Sequence, residues 1–236
     1  MINSKEQLMY EVMKAIYEQD IPVCFKGSMV LKAYLLEAGY TEEVRHTVDI
    51  DANWNSETPP SADTLVSTLQ AAVDNAGIPA DVSMNRMYGE GRSAGFTFTG
   101  RETKEELFLM DMDVNRPIPE MQIYEIAGLR FRGVSPTQMI ADKVSVVSSK
   151  KVFRRIKDMV DLYYLSKVFM FNTAEVLQTL EKSGRTRDHF QGFLNRPTEL
   201  RHAYDKFRFG GDISKPTFEE VYHTVKSFIK DILPSD

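Results

Sequence analysis

A chain of 236 residues with 42% hydrophobic and 27% charged residues has ordinary globular composition, which excludes a mainly disordered polypeptide and allows one large domain or two small ones. Its formal net charge of -5 excludes a general positive coat for nucleic acid, though not a local basic groove. One cysteine, Cys24, excludes an internal disulfide, and no apolar run approaches the roughly 18 residues that a membrane span requires.

Residues 1–7 are too polar for a secretory signal, which together with the lone cysteine predicts a cytoplasmic protein. Ser4 and Gln7 read as a capping box, and Leu8, Val12, Ala15 and Ile16 follow at helical spacing. Pro22 ends that helix. Val23-Cys24-Phe25 reads as a short buried strand, Gly27-Ser28 as a tight turn, and 29–38 as a helix stopped by Gly39. Residues 48–54 alternate Val, Asp, Ile, Asp, Ala, Asn, Trp, the period-two pattern of a strand. Pro59-Pro60-Ser61 starts a helix through residue 76, stopped by Gly77 and Pro79. Residues 81–115 read as antiparallel strands, with Phe96-Thr97-Phe98 and Leu107-Phe108-Leu109-Met110 as strand cores. Gly89, Gly91, Gly95 and Gly100 mark turns or bulges there. Ser135-Pro136-Thr137-Gln138 is a second capping box. It opens an all-helical half, with helices expected at 137–149, 154–169, 173–183, 186–194, 197–208 and 217–232. The expected fold is therefore α+β. A mixed or antiparallel sheet with helices fills residues 1–134, and a helical domain over 135–236 completes the active-site cleft.

The chemistry concentrates in carboxylates. Side chains on a strand alternate faces, so Asp49 and Asp51 point the same way. Two ionised carboxylates on one face repel unless a divalent cation or basic groups compensate them. Mg²⁺ takes hard oxygen ligands, usually one or two carboxylates plus substrate phosphates. Asp111-Met112-Asp113 ends another apolar strand and again puts two carboxylates on one face. Asp111 is the preferred third ligand, with Asp113 left open. Lys26-Gly27-Ser28 stands at a strand-to-helix junction, where a glycine backbone and helix N–H groups favour a phosphate. Arg45, just before the acidic strand, could balance the carboxylates or contact phosphate. Lys150, Lys151, Arg154, Arg155 and Lys157 form the densest basic run, which reads as a solvated helix face or as a polynucleotide contact. Trp54, Phe96 and Phe98 read as core. With four histidines in the chain and no ligand partners near His46, a zinc site is not expected.

Taken together, Gly27-Ser28, the helix after it, Asp49-Ile50-Asp51 and the later Asp111 resemble the nucleotidyltransferase superfamily that includes DNA polymerase β. More narrowly, Lys26-Gly27-Ser28, Arg45-x-Thr47-x-Asp49-Ile50-Asp51, Lys143 and Arg155-Ile156-Lys157-Asp158-Met159-Val160-Asp161-Leu162-Tyr163 resemble the AbiEii toxin group. Ser28 stands where that group often carries a second glycine. The resemblance covers roughly residues 20 to 165.

It implies an enzyme that moves a nucleoside monophosphate from an NTP to an acceptor, with Mg²⁺ or Mn²⁺ held by Asp49, Asp51 and Asp111. Lys26, Gly27, Ser28 and Arg45 would hold the nucleotide. Lys143 would pair with phosphate, and Asp158, preferred over Asp161, would orient Lys143 or touch the nucleotide. It further implies tRNA or another RNA as acceptor and an antitoxin protein as partner. Two alternatives stand beside it: a non-catalytic nucleotide- or RNA-binding protein with the same fold, and a sugar-nucleotide glycosyltransferase. The latter also uses Asp-x-Asp, but within a parallel βαβ series.

Overall fold

Asn3, not Ser4, starts the first helix in the computed structural model, which describes residues 3–58, 60–88, 91–116, 119–209 and 214–234. The Asn3 side chain accepts from the Glu6 backbone N–H (2.8 Å), and the Glu6 carboxylate accepts from the Asn3 N–H (3.1 Å). The capping box is thus one residue earlier than the sequence pattern suggests. Asn caps as well as Ser does, and this register brings an acidic residue to the helix's positive end. The Gln7 side chain donates instead to Glu11, one turn on (3.1 Å). Pro59 and Gly89, which the sequence marks as a helix start and a turn, lie outside the described residues.

Two compact units divide the chain. One comprises Met1–Glu37 and Thr47–Val134, the other Ala38–His46 and Ser135–Asp236. The first holds helices α1 (Ser4–Glu18), α2 (Gly27–Glu37) and α3 (Ala62–Asn75). It also holds strands β1 (Val23–Lys26), β2 (Asp49–Trp54), β3 (Ala80–Tyr88), β4 (Ser93–Gly100), β5 (Glu106–Asp113), β6 (Met121–Ile126) and β7 (Leu129–Val134). The strands form one mixed sheet in the order β3-β4-β5-β2-β1-β7-β6. β2 runs parallel to β5 and β1 parallel to β7, and the other neighbours are antiparallel.

α2 begins at Gly27, two residues before the expected start, because Gly27 makes the turn by itself at φ +73. No turn signal in the sequence marks the β6–β7 hairpin. Its two-residue turn is Ala127-Gly128, with φ of 52 and 77, the doubly positive turn that suits strand twist. Ala is an unusual first residue there, so the usual Asn-Gly or Asp-Gly signal is missing.

One sheet face is the core. Ile50, Ala52, Phe96, Phe98, Met110 and Met112 are buried on it. Tyr10 of α1 meets Phe131, which in turn meets Phe25 and Tyr124. The Tyr10 hydroxyl donates to the Met29 carbonyl (2.8 Å), joining α1 to the start of α2. Trp54, Phe96 and Phe98 pack in this core, Phe98 stacking on Phe108.

The second unit is helical: α4 (Pro136–Ser148), α5 (Ile156–Leu165), α6 (Thr173–Lys182), α7 (Gln191–Asn195), α8 (Pro197–Lys206) and α9 (Phe218–Phe228). Ser135 caps α4, its hydroxyl accepting from the Gln138 N–H (3.1 Å). Three expected helices are corrected. The span 154–169 shortens at both ends to α5: a 3-10 turn at Lys150–Arg154 precedes it, Arg155 between them is non-helical at φ -126, ψ 42, and the helix stops at Leu165. The span 186–194 shrinks to α7, because the end of α4 captures the chain before it. The Asp188 N–H donates to Ser148 Oγ (3.0 Å) and the Phe190 N–H to the Ser148 carbonyl (2.9 Å). The span 217–232 ends at Phe228 and finishes in a 3-10 turn, Lys230–Ile232. Among the described residues no helix is long and apolar enough to cross a membrane.

A buried ion pair ties α1 to α2. Lys32 Nζ lies 2.7 Å from Glu6 Oε2, and the Glu6 side chain is 0% exposed. Removing one partner strands a charge in the core, which costs about 3–5 kcal/mol. Glu6→Leu is therefore expected to lower unfolding free energy by about that much. The double variant Glu6→Leu/Lys32→Met should lose clearly less, as measured by urea melts.

Candidate active site

The second face of the sheet carries the acids. Asp49, Asp51 and Asp113 are half-buried on it, and Asp111 stands beside them, while Ile50, Ala52, Met110 and Met112 between them point into the core. Strand register sets their neighbours. Asp51 is the Cα partner of Asp111 across the parallel β2–β5 pair, and Asn53 is the partner of Asp113. On the other side, Lys26 pairs with Asp51 across β1–β2. Parallel neighbours share a face, so this register brings together all four aspartates that the sequence singled out.

Gly27 follows Lys26 directly. A Cβ there would stand 2.4 Å from Asp51 Oδ2, so only glycine leaves room for that carboxylate. α2 starts at this point, and its first turn carries no acidic side chain to neutralise the N-terminal N–H groups. Ser28 Oγ donates to Thr47 Oγ1 (2.6 Å), and Thr47 Oγ1 donates to the Asp49 carboxylate and carbonyl (3.2 Å each). Thr47 thus joins the expected phosphate turn to the first expected metal ligand. Thr47 stands two residues before Asp49, a spacing that by itself assigns it no role.

Cations already lie on two of the acids. Lys26 Nζ is 2.6 Å from Asp113 Oδ2, Ser93 donates to Asp113 Oδ1 (2.7 Å), and Arg116 Nε is 3.7 Å from Asp113 Oδ1. Burial pushes the Asp113 carboxyl up. The charge and hydrogen bond of Lys26, with Ser93 and Arg116, outweigh that and hold it below the usual carboxylate range. Lys26, expected to hold nucleotide, therefore places its charge on Asp113. Arg86 Nη2 donates to both oxygens of Asp111 (2.9 and 3.1 Å). Arg86 has no sequence signal: only the strand register places it here. Among the described residues no group of three or more His, Cys, Asp or Glu side chains is arranged to hold a metal ion. The turning of Asp111 and Asp113 toward protein cations is consistent with that.

The helical unit holds a second charged cluster. Lys143 Nζ on α4 lies 2.6 Å from Asp161 Oδ2 and 3.5 Å from Asp158 Oδ1 on α5. Arg45 donates to both oxygens of Asp161, from Nε (3.0 Å) and Nη2 (3.1 Å), and Arg155 Nε donates to Asp158 (2.8 Å). Asp161, not Asp158, is the nearer partner of Lys143. Arg45, expected at phosphate, pairs with Asp161. Burial pushes the Asp161 carboxyl up, but Arg45 and Lys143 outweigh it and hold it far below the usual range. Burial likewise lowers the Lys143 ammonium, yet Asp161 and Asp158 more than reverse this, so Lys143 stays charged. In the basic run, Lys150, Lys151 and Arg154 are exposed and Lys157 is half-buried.

A family model described as the nucleotidyl transferase AbiEii toxin, Type IV TA system, matches residues 7–224. Among solved structures the chain is similar to MenT4, a nucleotidyltransferase toxin from Mycobacterium tuberculosis H37Rv. The TM-score is 0.55 and the identity 17%, over 97% of this chain and 83% of that one. At such identity the likeness bears on the fold, which is that of a nucleotidyltransferase toxin. Comparison with curated protein sequences gives no match.

Two outcomes follow from this geometry. Gly27→Ala forces a left-handed φ on alanine and drives its Cβ into Asp51, so a loss of at least about 1–2 kcal/mol is expected in thermal or urea melts. Asp161 and Asp113 have folded pKa values below their unfolded ones. Each therefore contributes stability that is fully present above the unfolded carboxylate value of about 3.9 and is lost as pH falls through the folded value. Unfolding free energy should hold level from about pH 8 to 6 on account of these groups and drop below about pH 4. The gap between the parent and Asp161→Asn should narrow over that acid range.

Proposed function

The chain belongs to the AbiEii family of nucleotidyltransferase toxins of type IV toxin–antitoxin systems, and on that premise we propose that it transfers a nucleoside monophosphate from an NTP to an RNA acceptor. The observation that carries this is the parallel pairing of Asp51 with Asp111 beside Asp49. It gathers hard oxygen donors on one face, next to a glycine turn and a helix N-terminus that suit a triphosphate.

The residues fit a divalent cation by donor chemistry, since carboxylate oxygens are what Mg²⁺ and Mn²⁺ prefer. Gly27 leaves room for the Asp51 carboxylate itself to lie on that face. Asp49, Asp51 and Asp111 would hold the ion, which when bound would polarise the phosphate and ease deprotonation of the attacking hydroxyl.

The chain's own groups do the rest. The Gly27 backbone and the Ser28 hydroxyl bind phosphate oxygens, Ser28 turning its proton from Thr47 to the ligand. Thr47 keeps Asp49 oriented. The acceptor oxygen bonds to the α-phosphorus as the bond to pyrophosphate breaks, and its proton passes to one of the aspartates. In the helical unit Asp161 and Asp158 hold Lys143 in a buried, charged cluster. An RNA acceptor, tRNA in the first instance, is supported by the family resemblance and by the exposed Lys150, Lys151 and Arg154. An antitoxin partner follows from the type of system.

A glycosyltransferase is disfavoured, because β2 runs antiparallel to β1 and β3–β5 form an antiparallel series. Incubation with each labelled NTP, Mg²⁺ and total tRNA tests the proposal. Label should enter RNA with one preferred NTP, and Asp49→Asn or Asp51→Asn should reduce transfer by at least about a hundredfold. Tight NTP binding without transfer to any acceptor would instead make the chain a nucleotide-binding protein.

A further inference from the structure

Arg86 is a cation that the proposed chemistry has not used. It sits on β3 at the bulge where the β3–β4 register shifts between Met84 and Arg86. Its Cα partner is Gly95 on β4, and the partner of Gly95 is Asp111 on β5. Arg86, Gly95, Asp111, Asp51 and Lys26 thus form one row across five strands. Gly95 is the lane through which Arg86 reaches Asp111. A Cβ on Gly95 would stand 2.8 Å from both Cγ and Nε of Arg86. Nη2 bridges the two Asp111 oxygens, and the guanidinium lies 5.1 Å from the Tyr88 ring centroid.

This pair differs from the buried one in the helical unit. The Arg86 and Asp111 side chains are 44% and 47% exposed, whereas those of Lys143 and Asp161 are 7% and 2% exposed. A half-exposed ion pair is worth little and exchanges readily, while a buried one does not. A cation ligated by Asp111 would take at least one of the two oxygens that Arg86 Nη2 bridges, and its positive charge would repel the guanidinium there. Such a cation completes its shell with water and phosphate oxygens, so the phosphates would lie one coordination sphere from Asp111, within reach of a displaced guanidinium. Guanidinium to phosphate is a charge-assisted contact stronger than the exposed pair it replaces.

We propose that Arg86 is a nucleotide-binding residue that shares Asp111 with the cation: it holds the carboxylate until a cation–triphosphate complex takes it, then turns to the phosphate oxygens. This rests on the function proposed above and adds to it a residue of the triphosphate site and an order of events. The cation alone must compete with Arg86, whereas cation and nucleotide together recruit it.

Mn²⁺ binding read by electron paramagnetic resonance, and binding of a fluorescent non-hydrolysable NTP in saturating Mn²⁺, test this without any turnover. Arg86→Ala is expected to bind Mn²⁺ alone about two- to five-fold tighter and the Mn²⁺–nucleotide complex about tenfold weaker. Gly95→Ala, which displaces the side chain and keeps its charge, should also tighten Mn²⁺ alone. Arg86→Lys guards against misfolding of the alanine variant: keeping the charge without the planar fork, it should bind the Mn²⁺–nucleotide complex more weakly than the parent but more tightly than Arg86→Ala. If Asp49→Asn/Asp51→Asn abolishes Mn²⁺ binding while Arg86→Ala and Gly95→Ala leave both affinities unchanged, Arg86 is a surface ion pair and the inference fails alone. If Asp49→Asn/Asp51→Asn also leaves Mn²⁺ binding unchanged, the proposed function fails with it.

Discussion

The pairing of β2 with β5 places Asp51 and Asp111 side by side on one face of a parallel pair, and most of what surrounds them answers that crowding. Unit charges a few ångströms apart near a protein surface repel by an amount comparable to a sizeable share of a domain's stability. The first unit supplies cations from both flanks of the row: Arg86 to Asp111 and Lys26 to Asp113. It omits side chains where the carboxylates and their partners must pass, at Gly27 and Gly95.

The support beneath that face is apolar and local. The core side of the same strands is buried on α1, α2 and β7 aromatics, and the buried Glu6–Lys32 pair joins the two helices that flank β1. Glu6 also accepts from the Thr47 N–H at 3.5 Å, so the segment just before Asp49 is tied back to the first helix. Thr47 then reaches Ser28 and Asp49 with its hydroxyl. The geometry of a glycine-serine turn and an acidic strand apart in sequence is thereby fixed by one threonine and the helices behind it. The helical unit solves a similar problem in its interior, where Asp161 stays ionised because Arg45 and Lys143 together outweigh its desolvation.

Helices with clear caps, the Asp-Ile-Asp strand, the antiparallel segments and the motif set were legible because each depends on neighbours in sequence. So was the family, since its motifs combine short local patterns in a fixed order. One difference is a local pattern overruled by a distant group, and two are local choices that the usual residue signals rank wrongly. Ser148 captures Asp188 and Phe190 and shortens the helix expected at 186–194. Asn3 out-competes Ser4 because Glu6, not Gln7, completes the cap. The β6–β7 hairpin escaped notice because its Ala127-Gly128 turn lacks the usual residue pair.

What the sequence alone determined is therefore the list of acids, the glycine-serine turn and the class of protein, because alternation along a strand and capping at a helix end are properties of a few consecutive residues. Which cation each acid meets was decided only by tertiary structure. Strand order and register put Lys26 on Asp113 and Arg86 on Asp111, packing of α4 on α5 put Lys143 on Asp161, and the irregular segment after α2 brought Arg45 to the same acid. Those pairings join residues from 18 to 116 positions apart, a separation over which no periodicity or propensity carries information.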